Sequence, residues 1–311
     1  MMGVRCIYPS LLAVLFFAAP VSSKAAPPLR YYTTGEINSW MKNLADNNRS
    51  LTRYTPAGMS SKGQEIGILA IGHGTSPDGM QKPAIIINAA HHGDEKISTA
   101  AALHLIETLI RSAEDLPPPS DPVWASALDR YTFHIQPVVN PDGYRAGTRE
   151  DAFDRDLNRD YAYPGRNESQ SFKAPETRVV RDYLSQLDVR AALALHAGTE
   201  GVLWPWCHTS EPPWDAPELM RLAWSAARAM DTSARQSWHD YPSSGEFTDY
   251  IYWQRKVPAL TLEVHKRKKP HASQIPAITS RTTRAIREFT RELMKNDQSA
   301  RELVINNSIR R

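Results

Sequence analysis

His92 and Glu95 stand in the H-x-x-E arrangement within His91-His92-Gly93-Asp94-Glu95. At that spacing an imidazole and a carboxylate can converge on one cation. Alone the pattern is weak, because a polar loop after a strand reads the same way. A second histidine, His196, follows the apolar stretch ALALH. A lone histidine there is more often a satisfied core residue than a ligand. Taken together, two imidazoles and one carboxylate form a zinc set that leaves a fourth position open to water. Asn158 and Arg159 adjoin, with Arg149 upstream. Guanidinium groups grip carboxylates in two-pronged fashion, although composition alone reads Arg145 to Asp160 as a salt-bridged surface. Glu263 closes the apolar run ALTLEV. A carboxylate there is costly unless it has a partner or a task. A structural salt bridge and proton transfer from a zinc-held water both satisfy that condition. Tyr241 on its own is an ordinary loop tyrosine.

These residues need elements that bring distant stretches to one edge. Helical spacing covers Thr34 to Asn47, with Ile37, Trp40, Met41 and Leu44 on one face. Strands are predicted at Glu65–Gly72, Pro83–Ala90, Tyr131–Val139, Ala191–Leu195 and Ala259–Val264. Helices are predicted at Ser98–Ser112, Pro175–Leu187, within Glu211–Met230 after a proline-rich turn, and at Ile278–Met294. Asn140-Pro141-Asp142-Gly143 signals a turn, and Leu116–Pro122 a surface loop. Apolar strands alternating with helices imply an α/β domain, with a mixed, mostly parallel sheet covered by helices on both faces. In such sheets sites gather at the carboxyl ends of strands. His92, Glu95, Asn140, His196 and Glu263 all fall at or just past such ends.

The 311 residues carry a formal net charge of +3 and 41% hydrophobic residues, enough for a large core. The small charge argues against a nucleic-acid partner. The short basic run Lys266–Lys269 reads as a solvated loop. Arg5, the apolar run Leu11–Ala19 and the small residues after it form a secretory leader pattern, too short to span a bilayer. We therefore expect a signal peptide at 1–25, one catalytic domain at 26–298 and a tail at 299–311. The product is expected to be secreted or periplasmic, monomeric and free of the membrane. Cys6 leaves with the leader, so Cys207 has no partner for an internal disulfide.

In order and spacing the chain resembles the zinc carboxypeptidases of the carboxypeptidase A and B type. The resemblance rests on H-x-x-E at His92 and Glu95, N-P-D-G-Y at Asn140–Tyr144, and Arg149. It continues through D-L-N-R at Asp156–Arg159, P-E-T at Pro175–Thr177, His196, W-P-W at Trp204–Trp206, Tyr241, and T-L-E at Thr261–Glu263. It spans about Tyr31 to Met294 and looks most like the bacterial and regulatory branches. It implies one zinc ion held by His92, Glu95 and His196, Glu263 as general base, and Arg149 as oxyanion stabiliser. Asn158, Arg159 and Tyr241 would hold the terminal carboxylate of a peptide or muropeptide, and Cys207 and Thr248 would line the side-chain pocket. Neither of those two is an acid, so a neutral or mixed preference follows. Asp94 stands where the pancreatic enzymes carry arginine and is expected to repel acidic groups upstream of the scissile bond. Neither an inhibitory prodomain before the catalytic domain nor an accessory β-domain after Met294 is expected.

Three other readings compete. A murein peptide amidase would cut the D-glutamyl–diamino acid link of cell-wall peptides. An aspartoacylase-like deacylase shares H-x-x-E and D-L-N-R but not N-P-D-G-Y. A catalytically dead peptide binder would be expected to lack the base or a ligand, and this chain keeps both.

Overall fold

The computed structural model describes residues 30–72, 74, 81–114 and 121–309, with side chains to 298. The expected leader lies outside the described residues, as does most of the Leu116–Pro122 loop. Eight strands form one sheet: β1 (Thr52–Met59), β2 (Glu65–Ile71), β3 (Ala84–Ala89), β4 (Thr132–Gln136), β5 (Val189–His196), β6 (Glu200–Trp204), β7 (Ala234–Gln236) and β8 (Ala259–Val264). Their spatial order is β1-β2-β4-β3-β5-β8-β6-β7. The central four, β4-β3-β5-β8, run parallel, whereas β1, β2 and β6 join antiparallel. Every residue of β3 and β4 is buried, as the continuous apolar run of β3 requires for a strand covered on both faces.

Helices α2 (Lys96–Glu114), α3 (Pro122–Arg130), α6 (Ala216–Met230) and α8 (Ile275–Ile309) pack against one another as one layer. Helix α1 (Thr34–Asn47) lies on β1 and β2, α5 (Pro175–Leu184) on β1, and α7 (Phe247–Arg255) on β5 and β8. Helix α1 begins at a capping box, Thr33 with Glu36, which satisfies two of its free amides. Its bounds and those of β8 match the sequence expectation.

Several elements differ from it. Asn140-Pro141-Asp142-Gly143 starts a six-residue helix, α4 (Pro141–Ala146), because Asn140 Oδ1 accepts from the Gly143 amide at 2.9 Å and proline suits the first turn. Helix α8 runs on past Met294 to Ile309, so residues expected to be a tail continue a helix. Strands β1 and β6 and helix α7 have too little periodicity to stand out, and β7 is three residues long. Among the described residues no helix is long and apolar enough to cross a membrane.

Candidate active site

Strand register brings the distant residues together. Leu195 pairs with Leu262 and His196 with Glu263 across β5 and β8, while β3 ends beside β5 and leads directly into His91 and His92. The connection is tight. Ala90 takes a left-handed φ of 51°, a strained conformation for a residue with a side chain. A Cβ on Gly93 would lie 2.0 Å from the Gly143 carbonyl carbon, so only glycine fits where this loop crosses α4. The buried Asn140 amide donates to the Arg149 and Glu150 carbonyls at 3.3 and 3.0 Å, tying α4 to the arginine loop.

His92, Glu95 and His196 are all buried, and their ligand atoms lie within 4.8 Å of one another. His92 Nδ1 is 2.8 Å from Glu95 Oε1 and 3.3 Å from His196 Nδ1, and His196 Nδ1 is 3.1 Å from Glu95 Oε2. Arg149 Nη1 also points at His92 Nδ1, at 3.2 Å. One ring nitrogen cannot accept from a guanidinium and donate to a carboxylate at the same time. A cation among the three side chains resolves the conflict, so the donor set fits a metal.

Neighbouring groups fix the three candidate ligands. Asp156 Oδ1 meets His92 Nε2 at 3.2 Å, while Asp156 Oδ2 accepts from Arg149 Nε and Nη2 at 3.1 and 2.8 Å. Burial alone would lower the His92 pKa, but the bonds to Asp156 and Glu95 outweigh it and raise it. Burial would raise Asp156, yet His92 and Arg149 hold it well below the ordinary carboxylate range. The Ala197 amide donates to Glu95 Oε2 at 3.0 Å. Burial would likewise raise Glu95, yet the two histidines hold it low. His91 stacks on His196 with centroids 5.6 Å apart and bonds Tyr161 through Nε2 at 3.0 Å. Burial pushes its pKa far down, so His91 backs the cluster as a neutral ring.

A cleft of about 460 Å³ opens over this cluster. Glu263 lines it, and burial pushes its carboxyl up to about 7, against the lowering pull of His196. Glu263 Oε2 is buried and has no hydrogen-bond partner among the described residues. The salt-bridge alternative for this residue therefore finds no support.

Asn158, Arg159 and Tyr241 line the same cleft. Asn158 Oδ1 accepts from the Phe247 amide at 3.0 Å, which leaves the NH2 of its side chain as the donor. Arg159 uses Nη1 for two bonds, to the Asn158 carbonyl at 2.7 Å and to Glu246 Oε1 at 3.2 Å. The Tyr241 ring lies 5.9 Å from the Arg159 guanidinium and is 67% exposed.

The structure departs from the sequence reading in four places. Cys207 lines the cleft, but Thr248 sits behind Thr261, their hydroxyls 3.4 Å apart, and is not part of the wall. Lys268, taken as part of a solvated loop, lines the cleft and bonds Asp94 at 2.7 Å. Asp94 is thereby paired, so the expected repulsion of upstream acidic groups loses its basis. Asp156, which the sequence marks only as the first residue of D-L-N-R, bonds both His92 and Arg149. Glu246 escaped notice altogether, because nothing in SSGEFTDY marks it as lining a cleft.

Residues 37–285 match the family model for zinc carboxypeptidase, four fifths of the chain. The chain belongs to the zinc carboxypeptidase family. It is 23% identical to carboxypeptidase M of Mus musculus over 304 residues, covering 86% of this chain and 67% of that protein. It is 25% identical to carboxypeptidase SOL1 of Arabidopsis thaliana, covering 85% of this chain and 56% of that protein. The chain thus spans little more than half of the plant relative. The solved carboxypeptidase A from Helicoverpa armigera superimposes with a TM-score of 0.72 at 20% identity, covering 85% of this chain and 74% of that one. Zinc carboxypeptidases are metallopeptidases that use one zinc ion. His92, Glu95 and His196 supply the two imidazoles and one carboxylate already known as the zinc set of carboxypeptidase A.

Proposed function

We propose that this zinc carboxypeptidase removes single C-terminal residues from peptides outside the cytoplasm. One observation carries the reading: a buried three-ligand cluster and a guanidinium–amide clamp share one cleft. Zinc, when bound, polarises the scissile carbonyl and acidifies the attacking water.

The remaining work falls to the chain's own side chains. Glu263 takes a proton from the attacking water and returns it to the leaving amine. Its desolvated carboxyl, with a pKa pushed up to about 7, suits a group that must both take and give a proton near neutrality. Arg149, oriented by Asp156, donates to the oxygen that gains charge, a contribution of roughly 3 kcal/mol in comparable sites. Asn158, Arg159 and Tyr241 hold the terminal carboxylate. The clamp shares the cleft with the cluster, so a chain held by its terminal carboxylate presents its last peptide bond to the reacting centre.

Secretion is part of the proposal and rests on the leader pattern at residues 1–25. N-terminal sequencing of exported protein should begin near residue 26. The catalytic reading is tested with blocked dipeptides and a muropeptide, with and without chelator. Turnover of the dipeptides that is lost on chelation and restored by zinc supports it. Cleavage of the muropeptide alone would point to the amidase instead.

A further inference from the structure

The far end of the cleft, beyond the clamp, is acidic. Glu246 caps α7 at its N-terminal side and reaches the cleft wall beside Cys207 and Thr261. Its Oε1 accepts from Ser243 Oγ at 2.7 Å and from Arg159 Nη1 at 3.2 Å. Both bonds fall on one oxygen of a carboxylate that has about four acceptor positions. A second acid, Asp240, also lines the cleft, but Arg235 already engages it through Oδ1. Among the described residues the guanidinium bonded to Glu246 is that of Arg159 in the clamp, where a substrate carboxylate competes for it. Once that carboxylate binds Arg159, Glu246 needs another cation, and the side chain of the terminal residue is the group that arrives with it.

From this geometry we infer that Glu246 makes the enzyme prefer C-terminal residues with a cationic side chain, such as lysine, arginine or another diamino acid. This replaces the neutral or mixed preference expected from Cys207 and Thr248, neither of which carries charge. The inference rests on the proposed clamp. A carboxylate without a counter-charge in a partly closed cleft is costly, so an apolar terminal residue leaves Glu246 poorly matched, and an acidic one adds repulsion. The Cys207 thiol lines the same cleft and lies 3.2 Å from Ser243 Oγ, so the wall beside Glu246 adds no charge of its own.

The test measures binding and turnover separately. Calorimetric titration of the zinc-loaded protein with free L-arginine and L-leucine should show arginine binding tighter by about 10- to 100-fold, the range for a charged hydrogen bond. Blocked dipeptides ending in arginine and leucine should show the same ratio in kcat/KM. In Glu246→Gln both ratios should fall toward unity, and Glu246→Asp should keep part of the preference. If Glu246 served only to support Arg159, Glu246→Gln would weaken both ligands equally and leave the ratios standing, which would overturn the inference. Equal affinity of the unaltered protein for arginine and leucine would overturn it as well. Arginine preference in binding with no turnover of any dipeptide would uphold the pocket and refute the proposed activity. Turnover without preference would do the reverse.

Discussion

The two ends of the cleft are built differently. At the metal end, His196 and Glu263 are successive partners in a parallel strand pair, and His92 and Glu95 follow a third buried strand. All three ligands are at most 4% exposed. At the clamp end, Arg159, Tyr241 and Glu246 sit on turns and at a helix start, and Tyr241 is 67% exposed. Sheet register and burial hold the first end, whereas the second is built on exposed connections, where structure is generally less constrained. Chemistry tolerates little misplacement, and a cleft that admits varied side chains gains from some.

Changes at the rigid end should therefore cost the most. Glu263→Gln is expected to lower kcat by about 10²- to 10⁴-fold, the usual worth of a positioned base, while zinc content stays at one per chain. Loss of zinc in that variant would show that Glu263 helps hold the metal instead. Next in size is Arg159→Ala at the adjustable end. It should raise KM by about 10- to 100-fold with a smaller change in kcat, since a charged hydrogen bond made in the ground state is lost. A fall in kcat at unchanged KM would move Arg159 into the reacting centre. Asp156→Asn should weaken zinc binding by about 10- to 100-fold in a chelator competition, because it loosens His92. Unchanged affinity would mean that strand register alone positions the ligand.

The smallest effect is on pH dependence. Burial pushes the Glu263 carboxyl up to about 7, and the base must be ionised to act, so kcat/KM should fall as pH drops below about 7. A bound cation moves that limb lower. A limb lying above pH 8 would contradict the assignment. In metal-free protein the linkage has the opposite sense. The folded state holds this proton more tightly than the unfolded chain, so the associated stability is complete below the ordinary carboxylate pKa of 4.5 and is lost as pH rises through about 7. Metal-free Glu263→Gln should accordingly lose less stability over that interval in denaturant titrations.

The same contrast explains what the sequence made legible. Strand ends mark candidates: an apolar run that stops at a histidine or glutamate draws attention to His196 and Glu263, the topology rule gathers them, and the resemblance to zinc carboxypeptidases supplies their expected roles. The loop after β3 was readable because its ligands lie three residues apart. Lys268 and Glu246 gave no such sign. Lys268 lies in a basic run whose ordinary reading is solvated, and only the fold brings it to Asp94, 174 positions away in sequence. Glu246 becomes part of the cleft because Gly245, at φ 82°, packs against the Arg159 carbonyl, a contact between segments that no local pattern reveals. Thr248 shows the converse: one residue into α7 it is buried, its hydroxyl 3.4 Å from that of Thr261, and Thr261 is the residue that lines the cleft. The helical course of Asn140–Gly143 and the length of α8 were missed because turn chemistry and helix starts share residues, and because polar residues on an exposed helix carry little periodicity.

The central claim is that one cleft joins a zinc centre to a grip on a free terminal carboxylate. The most direct test is the kcat/KM of the zinc-loaded enzyme on one peptide with a free C-terminus and on the same peptide amidated. Loss of the carboxylate leaves Arg159 and Asn158 without their ligand, and we predict a rate lower by about 10²-fold or more for the amide. Equal rates on the two peptides would contradict the account.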